Sequence, residues 1–147
     1  MAIKKVFIAG GGGVMGSGIT QVCAQAGYAV VMQDINEKAL AKGIAAIRWS
    51  VGKFVEKGTV KGTVDEIMSR IKTSTRLEDA QDADFVIESV FEDLELKRNI
   101  FRQLEEICSA ETIMATNTSA IPITNIAAEM KRPDKFVGTH FFNPAPI

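Results

Sequence analysis

Gly11, Gly13 and Gly16 follow the apolar run Val6-Phe7-Ile8-Ala9 with the spacing Gly-x-Gly-x-x-Gly. At a strand-to-helix turn the first glycine permits the turn and the second lets the backbone approach a pyrophosphate. The third lets the helix pack against the strand. The helix opening at Val14 and Met15 offers N–H donors and the positive end of its dipole to an anion. Asp34 stands 18 residues beyond Gly16, at the end of the next apolar run, Tyr28 to Met32. A carboxylate there accepts both hydroxyls of an adenosine ribose and repels a 2′-phosphate, so the pattern points to NAD rather than NADP. The plainer alternative is a glycine-rich turn with a carboxylate capping the helix after Asn36. The complete order of strand, turn, helix, strand and acid favours the dinucleotide. A second register starting at Gly10 and Gly12 fails, because Met15 stands where its third glycine belongs.

His140 is the only histidine in the chain. An imidazole titrating near 6.5 can take up and return a proton near neutrality, which suits a general base. The plainer alternative is a satisfied histidine at a strand end. Glu92, Asp93 and Glu95 cluster at a helix start, where acids are stabilising without any ligand. Ser119 could begin the turn into the helix after Pro122, and Lys53 and Lys57 could be a solvated helix face. Trp49, Cys23 and Cys108 are expected to be packing residues within helices.

The elements that must position these groups alternate regularly. Strands are predicted at Val6–Ala9, Tyr28–Met32, Ile71–Ser74, Phe85–Ile87, Thr112–Thr116 and Phe136–Phe141. Between them, Met15, Ile19, Val22 and Ala26 recur at helical spacing up to Gly27, and Leu40, Ile44, Ile47, Val51, Phe54 and Val55 mark a long amphipathic helix closed by Gly58. A further helix carries Ile100, Leu104 and Ile107, and a short one runs from Ile123 to Met130. Thr63 with Glu66, and Thr75 with Glu78, have capping-box spacing. Strands alternating with helices predict a parallel sheet covered on both faces, a doubly wound α/β domain over residues 1–147.

Composition agrees with that architecture. The 147 residues are 46% hydrophobic and 24% charged, the profile of a globular domain with a real core. Seventeen basic against eighteen acidic residues give a net charge of −1, which argues against a nucleic-acid partner or a membrane-adsorbing face. Two cysteines are too few for a disulfide framework and fit a reducing compartment, so the cytoplasm is the expected location. The apolar stretch after Lys4 and Lys5 is too short for a signal peptide or a membrane span. The apolar ending Asn143-Pro144-Ala145-Pro146-Ile147 suggests a domain cut from a longer polypeptide.

The segment Gly11-Gly12-Gly13-Val14-Met15-Gly16-Ser17-Gly18-Ile19 resembles the glycine loop of the 3-hydroxyacyl-CoA dehydrogenases. The resemblance continues through Val86-Ile87-Glu88-Ser89-Val90-Phe91-Glu92, Thr116-Asn117-Thr118-Ser119 and Gly138-Thr139-His140-Phe141-Phe142-Asn143-Pro144. It implies a Rossmann fold and the interconversion of 3-hydroxyacyl-CoA and 3-oxoacyl-CoA with NAD, as in the 3-hydroxybutyryl-CoA type. His140 would be the catalytic base, and Ser119 would hydrogen-bond the substrate's 3-oxygen. The loop residues Gly11, Gly13, Val14, Met15 and Gly16, together with Asp34, would hold the cofactor. Glu92 and Lys97 would lie near its nicotinamide ribose, Asn117 would also contact the cofactor, and Lys53, Lys57 and Asn143 would meet the CoA. The family's glutamate partner for the histidine lies beyond Ile147. Its helical second domain, which completes the acyl cleft and forms a homodimer, is absent from these residues, so little turnover is expected from them alone. Gly10 replaces an apolar residue usual in the family and is expected to loosen the turn. The alternatives are a dehydrogenase of another small hydroxy acid, against which the Asn117-Thr118-Ser119 and His140-to-Pro144 segments argue, or a nucleotide-binding module without catalysis.

Overall fold

The computed structural model describes residues 2–147. Six strands, β1 (Lys5–Ala9), β2 (Ala29–Gln33), β3 (Ile71–Ser74), β4 (Phe85–Glu88), β5 (Ile113–Thr116) and β6 (Phe136–Gly138), form one sheet in the order β3-β2-β1-β4-β5-β6. Every neighbouring pair is parallel. The helices are α1 (Val14–Gln25), α2 (Glu37–Glu56), α3 (Val64–Met68), α4 (Leu94–Ile107) and α5 (Ile123–Ala127). This is the Rossmann order, in which the chain reverses direction of winding between β1 and β4 and leaves a crevice at the carboxyl ends of those strands.

The strands alternate their side chains between two cores. Val6 and Ile8 pack with Ile19, Leu40, Ile47 and Val51 on one face, and Phe7 and Ala9 with Val86, Phe101, Leu104 and Met114 on the other. Burial on both faces explains why the central strands read as unbroken apolar runs. Phe101 and Phe136 meet edge to face at 4.9 Å and tie α4 to β6. Helix starts are fixed by side chains. Asn36 accepts from the Lys38 and Ala39 N–H groups, Asp93 accepts from Leu96, and Thr63 and Glu66 form the expected reciprocal box.

Several local expectations change. Thr75 and Glu78 form no capping box. A 3₁₀ turn at Leu77–Ala80 is instead entered through Ser74, whose hydroxyl accepts from the Arg76 N–H and donates to Asp79. The last helix stops at Ala127 and the last strand at Gly138, both short of the apolar periodicity. Trp49 is 70% exposed, because α2 buries the stripe Leu40, Gly43, Ile47 and Val51 and position 49 falls off it. Cys23 and Cys108 are buried as expected, although Cys108 lies just past the end of α4. Burial pushes both thiols up to about 11, which leaves them inert near neutrality. Gly10 tightens the turn rather than loosening it. Its φ is +78°, and a Cβ there would lie 2.6 Å from the Ser89 carbonyl oxygen. Among the described residues, no helix is long and apolar enough to cross a membrane.

Candidate active site at the carboxyl edge of the sheet

The glycine loop is built by close approach of its backbone to neighbouring backbone and side chains. A Cβ on Gly16 would stand 2.1 Å from the Gly10 carbonyl oxygen, and one on Gly11 would stand 2.6 Å from Met32 Cγ. Gly13 is the N-cap of α1 and supplies no side-chain cap. The first N–H groups of α1, on Val14, Met15 and Gly16, have no acceptor within the helix by its geometry and remain for a ligand. A pyrophosphate is the group such a loop suits, since uncapped donors and the helix dipole point at the same place. Asp34 follows β2 directly. Its carboxylate accepts from the Gly12 N–H at 3.1 Å and from the Asn36 N–H at 3.0 Å. One bond on each oxygen fixes the carboxylate at the loop and leaves lone pairs for ribose hydroxyls. The residues present therefore fit a dinucleotide.

Two strands further along the same edge, a cleft of about 430 Å³ is lined by residues 118–123 and 138–140, so Ser119 and His140 share it. Ser119 follows β5 and His140 follows β6, and both residues are exposed. The Asn117 side-chain carbonyl accepts from the Phe141 N–H at 2.9 Å, which ties the serine loop to the histidine loop. The His140 ring lies against Phe142 with centroids 4.7 Å apart.

Beneath this cleft lies a closed ring of polar groups. Glu88, at the end of β4, is wholly buried, and both its oxygens are engaged. Oε1 accepts from Lys97 Nζ and the Val90 N–H at 2.6 Å each, and Oε2 accepts from the Thr116 hydroxyl at 2.7 Å. Lys97 reaches Glu92 at 3.1 Å and the Val90 carbonyl at 3.3 Å. The Thr118 hydroxyl donates to Glu92 Oε2 at 2.5 Å, and the Thr118 N–H donates to Thr116 Oγ1 at 3.3 Å, completing the circuit. Burial pushes the Glu92 carboxyl up, but the Thr118 hydroxyl and the Lys97 ammonium outweigh it and hold it below the usual carboxylate range.

Sequence reasoning placed Glu92, Lys97 and Asn117 toward the cofactor. Glu92 is partly open to solvent, but the Lys97 ammonium is buried and its three donors face Glu88, Glu92 and Val90. Lys53 pairs with Glu56 one turn along α2, and Lys57 caps the end of that helix; neither lines the Ser119 cleft. Asn143 is exposed beyond β6. Glu88, Thr116 and Thr118 were not singled out, although an acid ending a buried apolar strand, with a lysine nine residues later in a helix, was a visible signal.

The sheet order, the glycine loop and Asp34 together define a nucleotide-binding Rossmann domain of the dehydrogenase kind. The chain belongs to the 3-hydroxyacyl-CoA dehydrogenase family: residues 5–147 match the family model described as "3-hydroxyacyl-CoA dehydrogenase, NAD binding domain". It is 44% identical over 138 residues to the 3-hydroxybutyryl-CoA dehydrogenase of Clostridioides difficile, covering 93% of this chain and 49% of that protein. A probable 3-hydroxybutyryl-CoA dehydrogenase of Bacillus subtilis is 43% identical, with 100% and 51% covered. Among solved structures, the (S)-3-hydroxybutyryl-CoA dehydrogenase of Ralstonia eutropha superposes with a TM-score of 0.91 at 42% identity, covering 99% of this chain and 52% of that one. The chain spans about half the length of the curated relatives just named. A lactate dehydrogenase of Cryptosporidium parvum, at 15% identity and a TM-score of 0.63, shares the fold alone.

Proposed function

We propose that this NAD-binding domain, joined to a second half of the kind its relatives carry, interconverts 3-hydroxyacyl-CoA and 3-oxoacyl-CoA. The supporting observation is the shared cleft of Ser119 and His140 on the sheet edge that also carries the glycine loop. NAD, when bound, supplies the hydride acceptor. The N–H groups of Val14 to Gly16 and the Asp34 carboxylate hold its adenosine and pyrophosphate half, and Glu92 and Asn117 face its nicotinamide half. His140 removes the proton from the substrate's 3-hydroxyl, and in the reverse direction returns it to the 3-oxygen. The Ser119 hydroxyl orients that oxygen, so that bond breaking begins from a fixed geometry. Lys53, Lys57 and Asn143 serve the CoA portion. A glutamate beyond residue 147 would orient the imidazole and stabilise its charged form, as the acid does in other His–acid pairs. The assembled protein is proposed to be a cytoplasmic homodimer, associating through the second half. The 147 residues alone are expected to bind NAD with little turnover.

The test is NADH-dependent reduction of acetoacetyl-CoA and of free acetoacetate by a chimera carrying this domain ahead of the second half of the Clostridioides difficile relative. Reduction of the thioester in preference to the free acid, with a drop of about 10² or more on His140→Gln, is expected. Equal rates on both substrates, or an unaltered rate in the His140→Gln variant, would overturn the proposal.

A further inference from the structure

Resting on that reading of the cleft, we propose that Thr118 is a positioning residue for Ser119, acting through the polar ring that joins β4, α4 and β5. Ser119 is exposed and sits on a loop, and a loop on its own does not hold a hydroxyl to the tolerance that proton transfer needs. The residue before it, Thr118, is 9% exposed, and its N–H and its hydroxyl are both engaged. Its hydroxyl donates to Glu92 and accepts from the Ile121 N–H at 3.1 Å and the Ala120 N–H at 3.4 Å, which closes the turn around Ser119. Its own N–H is held by Thr116. Glu92 is fixed in turn by Lys97, and Lys97 by the fully buried Glu88. The turn that carries Ser119 is therefore fastened to the rigid carboxyl end of the sheet by a charge-assisted chain, whose bonds are stronger than those between neutral groups. Asn117, on the other side, ties the same loop to the backbone beside His140. Both constraints bear on the Ser119–His140 relation, and Thr118 joins the turn to Glu92 through its hydroxyl and, through Thr116, to the buried Glu88.

Two substitutions separate hydroxyl from shape. Thr118→Val keeps the branched volume and removes the hydroxyl, whereas Thr118→Ser keeps the hydroxyl. Three quantities are read: kcat for acetoacetyl-CoA in the chimera, and the NADH Kd and amide exchange of the 147-residue protein. With Val, kcat is expected to fall roughly 10- to 100-fold, the scale of a small misplacement at a reacting group. The NADH Kd should change far less than kcat, and the Ile121 amide should exchange faster while that of Ser17, in α1, does not. Ser should restore both kcat and protection. A wild-type kcat in the Val variant would overturn the proposal, as would equal losses in Val and Ser. If the unsubstituted chimera shows no turnover, the catalytic reading fails instead. Positioning is then decided by exchange alone, where unaltered protection at Ile121 in the Val variant would refute it.

Discussion

The two ends of the candidate site are made of different materials. At the β1–α1–β2 end the binding groups are backbone: N–H donors left free by an uncapped helix, in a loop where a Cβ on Gly10 or Gly16 would collide with a carbonyl and one on Gly11 with Met32. At the β4–β5–β6 end the groups are side chains on loops, held by a ring of two glutamates, a lysine and two threonines that is buried except at Glu92. A backbone site tolerates no added atom but needs no partner. A side-chain site tolerates changes of shape better than it tolerates an unpaired charge. The first end should therefore break by steric insertion and the second by loss of a charge or a proton.

The largest effect is expected at Lys97. Lys97→Met leaves Glu88 buried without its counter-charge, and should lower unfolding free energy by about 3–5 kcal/mol. Adding Glu88→Gln, which removes the orphaned charge, should recover much of that loss; urea titration of the single and double variants measures both. A double variant no more stable than Lys97→Met would mean that packing of the lysine stem, rather than charge pairing, governs this end. Next comes Gly16→Ala. It forces a methyl onto the Gly10 carbonyl and should cost about 1–3 kcal/mol and most of the NADH affinity. Full NADH binding by that variant would show that the loop is not built by close approach.

The smallest effect is a pH dependence. Because the folded protein holds the Glu92 carboxyl below its ordinary value of 4.5, that carboxylate adds stability above about pH 4.5. The contribution is lost as pH falls through the depressed folded value. The stability gap between wild type and Thr118→Val should accordingly narrow between pH 7 and pH 3, whereas Gly16→Ala should show a gap independent of pH. A Val gap that stays constant would remove Glu92 from the chain of contacts.

The same difference explains what the sequence disclosed. Gly11, Gly13, Gly16 and Asp34 declare themselves because a backbone-built site depends on spacing within a single strand–helix–strand unit. The central strands β1, β2 and β4 were legible as short apolar runs, buried on both faces. Resemblance, rather than spacing, brought Ser119 and His140 into view, since nothing local says that residues 119 and 140 line one cleft. The joining of Glu88, Glu92, Lys97, Thr116 and Thr118 into one ring escaped because its members come from β4, the β4–α4 loop, α4, β5 and the loop after it. Thr75 with Glu78 misled in the opposite way. Their spacing was correct, but Ser74 captured the turn one residue earlier. Trp49 misled through composition, because a tryptophan in an amphipathic helix is not obliged to lie on its buried stripe.

The most direct test of the dinucleotide site is a calorimetric titration of the 147-residue protein with NADH and, separately, NADPH at neutral pH. Saturable NADH binding, with NADPH at least tenfold weaker (about 1.4 kcal/mol), is the expected result, since the Asp34 carboxylate beside the Gly12 N–H repels a 2′-phosphate. Equal affinity for the two, or binding of neither, would contradict it.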